Sequence, residues 1–390
     1  MSKIDEMIAE LCPDGVEYKR LEEISSKANN IRWKDKLGES KFYVDLSSVD
    51  VLTHRIGELV EVDESSAPSR AKQIIQSGDL IFATTRPTQM RCCVVPDELD
   101  GQLCSTGYCV LRINRGVDNR FVFHALTSDS FKMYLQENQS EGNYPAISDR
   151  CLRRYEIPVP PIEIQREVVR ILDSFAELEA ELEAELEARK AQYAYYRDRL
   201  IDEARHSPLT PLGNIAKSLD SKRIPIKQSE RKPGPFPYYG ASGIVDHVDD
   251  YLFNGDYLLV SEDGANLLAR TYPIAFQVSG KTWINNHAHV LQIEESTTRR
   301  YVEIYLNQLD LSGKINVSGQ PKLTKKNLLA IEIPLPSLHV QRKVVDILDR
   351  FDALTTSLTD GLPAEIEARR QQYEYYRDKL LSFPRLTAEG

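Results

Sequence analysis

The chain has 390 residues, 41% hydrophobic and 28% charged, enough for two or three domains each with its own core. Its 49 basic and 59 acidic residues give a formal charge of −10, which excludes a uniformly basic nucleic-acid binder, and no apolar run reaches the roughly 20 residues of a membrane helix. The cysteines Cys12, Cys92, Cys93, Cys104, Cys109 and Cys151 show no CxxC spacing and follow no secretory leader, so reduced thiols in a soluble, cytoplasmic protein are expected.

Residues 1–155 read as a first globular domain. Short apolar strands such as Leu80–Ala83 and Tyr108–Ile113 are punctuated by Gly, Pro and Asn, and one helix is expected over Phe121–Leu135. Polar, basic and aromatic loops adjoin these strands and supply the recognition candidates Thr84, Thr85, Arg86, Arg91, Ser105, Thr106, Asn143 and Tyr144. Arginine can bond guanine through two hydrogen bonds and asparagine or glutamine can do so with adenine, while hydroxyls and backbone amides suit phosphates.

Residues 156–205 form a central helical segment that opens after prolines, with Pro161 placed for a first turn. Ile164, Val168, Ile171, Phe175, Leu178 and Leu182 alternate spacings of four and three, a coiled-coil seam. The register slips at Leu186 and resumes at Tyr193, Tyr196 and Leu200, so a helix over 162–200 would be roughly 58 Å long. Glu177, Glu179, Glu181, Glu183 and Glu185 lie between seam positions and read as a solvated face. They contribute to 13 acidic against 7 basic residues in this segment.

A linker at 206–213 leads into a second globular domain, 206–330, with strands at Tyr257–Val260 and His289–Ile293 and a helix over Tyr301–Leu309. Its recognition loops, 261–266, 281–287 and Ser318–Lys322, supply Asn266, Lys281, Asn285, Asn286, His287, Gln320 and Lys322. Residues 331–390 form a C-terminal helical segment with a seam at Val340, Val344, Ile347, Phe351, Leu354 and Leu358. Asp360-Gly361 and Pro363 predict a break there, before a further helix carrying Ile366, Tyr373, Tyr376 and Leu380.

A long-period repeat organises this order. Glu156-Ile157-Pro158-Val159-Pro160 recurs as Glu332-Ile333-Pro334-Leu335-Pro336, and Gln165-Arg166 with Ile171-Leu172-Asp173 recurs as Gln341-Arg342 with Ile347-Leu348-Asp349, at an offset of 176. At an offset of 180, Gln192-Tyr193 and Tyr195-Tyr196-Arg197-Asp198 match Gln372-Tyr373 and Tyr375-Tyr376-Arg377-Asp378. Weaker echoes pair Ser77–Ile81 with Asn254–Leu258 and Tyr144–Ser148 with Gln320–Thr324. The globular parts otherwise hardly match, so the halves share a scaffold and differ in what they present.

Motifs for catalysis are nearly lacking. Gly280-Lys281-Thr282 has no glycine-rich loop before it, and no GxSxG, GxGxxG or Asn/Asp-Pro-Pro-Tyr motif occurs. His287 and His289 would project to one side of a strand and could bind a metal, but no third ligand stands out, and a hydrogen-bonding role is the simpler reading. No metal or catalytic residue is therefore assigned.

Two unlike globular domains, each followed by Ile-Pro-Val/Leu-Pro, Gln-Arg, Ile-Leu-Asp and Gln-Tyr-x-Tyr-Tyr-Arg-Asp, resemble the specificity subunit of type I restriction-modification systems across essentially the whole chain. The resemblance implies an α+β fold of two mixed α/β target-recognition domains joined by two long antiparallel coiled-coil-like helical regions in a pseudo-twofold repeat. It further implies that each domain reads one half of a bipartite, gapped double-stranded DNA target, and that the helices set the spacing and dock two modification subunits. The chain would then be a non-catalytic member of a methyltransferase/endonuclease complex. S-adenosylmethionine, ATP and Mg would belong to modification and restriction/translocase partners. Many relatives keep a Leu-Pro-Ala-Glu-Ile-Glu turn in both copies, whereas here only Leu362–Glu367 carries it. The different-class alternative is a coiled-coil adaptor with ligand-binding globular domains.

Overall fold

The computed structural model describes residues 3–33, 38–204, 206–316 and 319–386; Ser318, at the edge of one recognition loop, lies outside them. The chain divides into two compact units, Met1–Glu183 with Glu365–Gly390, and Ala184–Ala364. Each unit thus combines one globular part with one half of the central helix and one piece of the C-terminal helical segment.

In unit 1 the elements run α1 (Lys3–Leu11), β1 (Tyr18–Arg20), α2 (Leu21–Ile24), β2 (Ser25–Ser26), β3 (Lys41–Val44), β4 (Val60–Val62) and β5 (Ala71–Ile74). They continue with β6 (Leu80–Ala83), β7 (Cys92–Val94), β8 (Leu103–Ser105), β9 (Tyr108–Ile113), α3 (Asn119–Leu126), α4 (Asp129–Asn138), α5 (Asp149–Leu152) and β10 (Glu156–Pro158). The long α6 (Ile162–Ala204) follows. Unit 2 has β11 (Leu209–Pro211), α7 (Leu212–Ile215), β12 (Lys217–Ser218), β13 (Phe236–Gly240), β14 (Gly243–Val248), β15 (Phe253–Asn254), β16 (Tyr257–Ser261), α8 (Asn266–Ala269) and β17 (Ala275–Val278). After these come β18 (Lys281–Ile284), β19 (Ala288–Gln292), α9 (Ser296–Gln308), α10 (Lys325–Leu329), β20 (Glu332–Pro334) and α11 (Leu338–Thr356), and then α12 (Leu362–Leu380).

The expected helix over Phe121–Leu135 is two helices. Thr127 ends the first and Ser128 caps the second, its side chain accepting from Phe131 N, and such a hydroxyl favours a fresh start over continuation. The break anticipated at Asp360-Gly361 separates α11 from α12. A Cβ on Gly361 would stand 2.7–2.9 Å from the carbonyl oxygens of Ser357, Ala353 and Leu354, so the chain needs glycine to turn there. Lys281 and Thr282 lie in strand β18, not at the start of a helix, which removes any phosphate cradle at Gly280.

The two globular parts share a topology that their sequences conceal. In unit 1 one sheet has the order β2-β9-β6-β7 and another β4-β3-β8-β5; in unit 2 the corresponding orders are β12-β19-β16-β17 and β14-β13-β18-β15. Even the parallel pairing within the second sheet recurs, β3 with β8 and β13 with β18. The repeated Glu-Ile-Pro strands β10 and β20 pair antiparallel with β1 and β11, the strands that open each globular part. In such two-stranded ribbons a proline costs no ladder bond on its outer side.

The Gln-Arg repeat has a matching structural cause. Gln165 and Gln341, both buried, donate through Nε2 to Pro160 O and Pro336 O at 2.7 and 2.8 Å. Their Oε1 atoms accept from Asp118 N and Thr298 Oγ1, tying each helix start to its own globular part. In unit 1, α12 packs antiparallel on the first half of α6, with Phe175 stacked on Tyr376 at 5.5 Å and Glu179 paired with Arg370 at 2.6 Å. In unit 2 the second half of α6 meets α11 through Tyr196 and Phe351, ring centroids 5.7 Å apart. The unit cores bury Ile164, Val168 and Leu172 in unit 1 and Ile201, Val344 and Leu348 in unit 2, whereas Leu178, Val340, Ile347, Leu354 and Leu358 of the expected seams are exposed.

Candidate nucleic-acid interface

At one end of each central sheet three loops converge on one backbone frame. In unit 1, Thr84 N donates to Gly107 O (2.8 Å), Arg86 N to Pro145 O (2.7 Å) and Ile147 N to Thr84 O (2.9 Å). In unit 2, Glu262 N donates to His287 O (2.8 Å), Gly264 N to Pro321 O (3.0 Å) and Leu323 N to Glu262 O (2.8 Å). Isolated bridges Thr85–Ala146 and Asp263–Lys322 complete the match. Since Leu80 pairs with Leu111 as Leu258 pairs with Leu291, the register is fixed, and Thr84, Thr85 and Arg86 occupy the places of Glu262, Asp263 and Gly264. The scaffold, with proline shared at 145 and 321, is constant while Thr84, Thr85 and Arg86 give way to Glu262, Asp263 and Gly264.

In unit 1 this frame brings together Thr84, Thr85, Arg86, Thr106, Asn143 and Tyr144. Thr84 Oγ1 donates to Gly107 O at 2.8 Å, and Thr106 N to Arg70 O at 2.9 Å. Arg86 is exposed, with its guanidinium 5.0 Å from the centre of the Tyr144 ring, itself 72% exposed. Arg86 also has φ +50°, at the place where unit 2 has Gly264 at φ +109°. The frame requires a left-handed residue there, and arginine occupies it at a cost of about 1 kcal/mol. Arg91 and Ser105 stand apart from this surface. Arg91 Nη1 donates to Val49 O at 2.5 Å, and Ser105 is 0% exposed with its Oγ accepting from Gly107 N.

In unit 2 the frame gathers Asn285, Asn286, His287, Gln320 and Lys322. Asn286, His287, Gln320 and Lys322 are exposed, whereas Asn285 is buried and shapes the turn, its Oδ1 accepting from His287 N at 2.8 Å. His287 Nδ1 lies 2.8 Å from Asp263 Oδ1, and Lys322 Nζ 3.0 Å from Glu262 Oε1. Asn266 closes its own loop by bonding Tyr272 N and O, both at 2.9 Å. Lys281 lies at the far end of β18 from this turn, its Nζ 4.8 Å from the Tyr251 ring centre.

Sequence reading passed over Arg223, which binds the frame of unit 2 from below. Its Nη1 donates to Glu262 Oε2 and Ala288 O, each at 2.7 Å, and to Asn286 O at 3.3 Å. It sits in an irregular Ser-Lys-Arg-Ile-Pro stretch with no periodicity to mark it. The two histidines do not converge as their spacing suggested. His289 is buried, with Nδ1 2.7 Å from Asp220 and Nε2 2.8 Å from Leu323 O, while His287 lies in the exposed turn.

Asp220, Glu262 and His289 do group their ligand atoms within 4.8 Å. Arg223 and Lys322 already neutralise Glu262, however, and both nitrogens of His289 face oxygen acceptors, so the donor set suits a hydrogen-bonded ion network better than a cation. Burial raises the pKa of Asp220, but the hydrogen bonds from His289 and Val290 N outweigh it and hold the carboxyl below its usual range. Glu262 is likewise held low against burial by Arg223 and Lys322.

Matched scaffolds that each present three converging loops, each bound to a helix pair, define a duplicated two-domain protein. Consistent with this, the type I restriction modification DNA specificity domain matches residues 13–188 and again 209–368, and the chain belongs to that family as a type I specificity subunit. A putative type I restriction enzyme specificity subunit of Haemophilus influenzae is 40% identical over 176 residues, spanning 44% of this chain and 45% of that protein. The EcoR124I/EcoR124II specificity subunit of Escherichia coli is 32% identical over 63% of this chain and 68% of its own length. A solved chain of a type I restriction-modification system, described for its complex assembly and conformational transition, superposes with TM-score 0.69 at 25% identity, covering 95% of this chain and 98% of that one. The HsdS subunit of Thermoanaerobacter tengcongensis shares the fold, with TM-score 0.55 at 24% identity over 95% of this chain and 97% of that one. Among the described residues, no helix is long and apolar enough to cross a membrane.

Proposed function

We propose that the two units each read one half of a bipartite, gapped DNA target, with the helical segments setting the gap and docking two modification subunits in a cytoplasmic complex. The observation that carries this reading is the common frame: the same backbone hydrogen bonds present Thr85, Arg86, Thr106, Asn143 and Tyr144 in unit 1 and Asn286, His287, Gln320 and Lys322 in unit 2. A constant frame with variable side chains suits base-edge readout. The chain itself carries no chemistry in this reading. S-adenosylmethionine, ATP and Mg act on the modification and restriction partners, where an adenine flipped from the duplex is methylated. Basic partners add phosphate contacts that this acidic chain supplies sparingly.

The test is a genome-wide map of methylated adenine in source cells with and without an intact copy of this chain. Loss of methylation at one gapped motif supports the reading. An unchanged map in cells where the modification subunits are expressed and active overturns it.

A further inference from the structure

Two left-handed residues bracket the turn that leaves the frame of unit 1. Arg86 has φ +50° and Met90 φ +56°, and they are two of four non-glycine residues with positive φ among the described residues. Between them Pro87–Gln89 make a single 3₁₀ turn. Gln89 N donates to Arg86 O at 3.0 Å and Met90 N to Pro87 O at 2.9 Å, while the buried Pro87 fixes its own φ. Met90 has a packing reason for its conformation, being partly buried against the core of unit 1. Arg86 has none: it is exposed, and glycine would adopt the same φ without strain. A strained residue kept at an exposed turn points to what its side chain does.

The turn sets Gln89 beside Arg86, since a bond from residue i+3 to residue i holds their Cα atoms within about 7 Å, about two base-pair steps. The Arg86 guanidinium meets no acceptor among the described residues, and the Tyr144 ring covers one of its faces, which leaves the N–H edges for a partner. Gln89 is exposed, and its Oε1 accepts from Arg91 Nε at 3.3 Å. Arg91 is itself anchored, its Nη1 donating to Val49 O at 2.5 Å. That bond orients the Gln89 amide and uses one lone pair of Oε1. The second lone pair and the Nε2 protons have no partner among the described residues. An amide with one acceptor and one donor free matches N6–H and N7 of adenine, and a guanidinium fork matches O6 and N7 of guanine. A phosphate offers acceptors only and would leave the Gln89 carbonyl unused, so the pairing of these two side chains on one turn favours base edges.

We propose that Gln89 reads an adenine in the half-site of unit 1, beside a guanine read by Arg86, with Arg91 as the positioning residue that orients the Gln89 amide. This rests on the DNA-reading role proposed above and names two of its bases. The adenine is not the methylated one, which leaves the groove when it is flipped. Unit 2 has no counterpart: after Gly264 the turn lengthens into α8 and exposes Ala265, Leu268 and Ala269, while Asn266 is turned back on Tyr272. The adenine and guanine contacts therefore belong to one half-site only.

Competition binding by the assembled complex tests this at the gapped motif that the methylation map defines. The duplexes carry 7-deazaadenine or 7-deazaguanine, which lack the N7 acceptor, at one position at a time. Wild type should lose about tenfold in affinity at one adenine and at one neighbouring guanine of the same half-site. Gln89→Ala should bind the 7-deazaadenine duplex and its parent within about twofold of each other while still penalising 7-deazaguanine, and Arg86→Gly should do the reverse. Arg91→Ala should shrink the 7-deazaadenine penalty in the otherwise wild-type chain and change nothing at that base in Gln89→Ala, a non-additivity that a general loosening of the loop would not give. Selective binding in which Gln89→Ala removes no 7-deazaadenine penalty overturns the inference and leaves half-site reading intact. A complex that binds every duplex alike overturns the reading and this inference with it.

Discussion

His124 Nε2 lies 2.9 Å from the carboxylate of Asp173, and the opposite ring nitrogen lies 2.9 Å from the Tyr373 hydroxyl of α12. A neutral imidazole donating to Asp173 and accepting from Tyr373 satisfies all three groups and ties α3, α6 and α12 together within unit 1. In unit 2 the histidine's place is taken by Arg300, which pairs with Asp349, the repeat of Asp173.

This arrangement makes the stability of unit 1 depend on pH. Burial lowers the pKa of His124 against the pull of Asp173, and burial also lowers His54. Asp173 is itself held low, by His124 and Arg120 against its own burial. For a lowered histidine the unfolded chain binds the proton first, so stability is intact above the ordinary value near 6.5 and falls as pH drops below it. Asp173 keeps its contribution until pH passes below the ordinary carboxylate range. Thermal unfolding between pH 7.5 and 5 should show this decline, and His124→Gln, which keeps a donor and an acceptor, should reduce its slope. An equal slope in the variant would remove His124 as its source.

On the proposed reading, Arg86 separates recognition from stability. Arg86→Gly removes the guanidinium over Tyr144 but places glycine where φ is +50°. Stability should be unchanged or rise by up to about 1 kcal/mol, while discrimination at the half-site read by unit 1 falls by about 1–3 kcal/mol. Tyr144→Ala should weaken the same half-site. Both are read by competition binding of the assembled complex to duplexes altered in one half-site at a time. A loss shared equally by both half-sites would refute the assignment of one half-site to each unit.

The parts of the fold that were legible in the sequence are those the repeat wrote twice. Glu-Ile-Pro, the buried Gln165 and Gln341, and the paired Asp173 and Asp349 mark contacts between helices and globular parts, where one geometry serves both units. The frame of the proposed recognition surface was legible only as the faint echo of Tyr144–Ser148 in Gln320–Thr324, because its hydrogen bonds run through backbone and leave most side chains free to vary. Residue type alone also misled: Ser105 and Asn285 are polar but buried by the turns they shape, and Asn266 bonds its own loop. Arg223 was missed because its partners lie 39 and 65 residues away.

Arg223 should govern the second half-site without touching DNA. Its side chain is only 12% exposed and joins Glu262, Asp220 and the Ala288 carbonyl. Arg223→Ala leaves those carboxylates without their guanidinium, a loss of about 3 kcal/mol for a buried pair. Arg223→Lys keeps the charge but loses the planar fork, so part of the loss should remain. Half-site competition should show weakened recognition by unit 2 with that of unit 1 intact. Unaltered discrimination at both half-sites in Arg223→Ala would show that the turn holds its shape without this arginine.

Unit 1 is closed by the segment that follows α12. Val16 N donates to Pro384 O and Leu386 N to Val16 O, both at 2.9 Å, and the Tyr18 hydroxyl reaches Phe383 O at 2.8 Å. Arg385 lies over the Tyr18 ring at 4.0 Å and pairs with Glu156 at 2.9 Å. Leu381 and Phe383 are buried in the core of unit 1. Gly15 lets the two segments meet: its φ is +98°, and a Cβ there would stand 2.7 Å from Pro384 O and 2.9 Å from Arg385. Because backbone and not a flexible side chain blocks that space, Gly15→Val must push the segment away. Losing the burial of Phe383 alone should cost unit 1 about 2–3 kcal/mol, and removing residues 381–390 should cost at least as much. Hydrogen exchange on the full-length variant should therefore show lost protection across β1 and β10, with α9 and β19 of unit 2 protected as in wild type. Unchanged protection at β1 in Gly15→Val would mean that the C-terminal segment does not hold unit 1 closed.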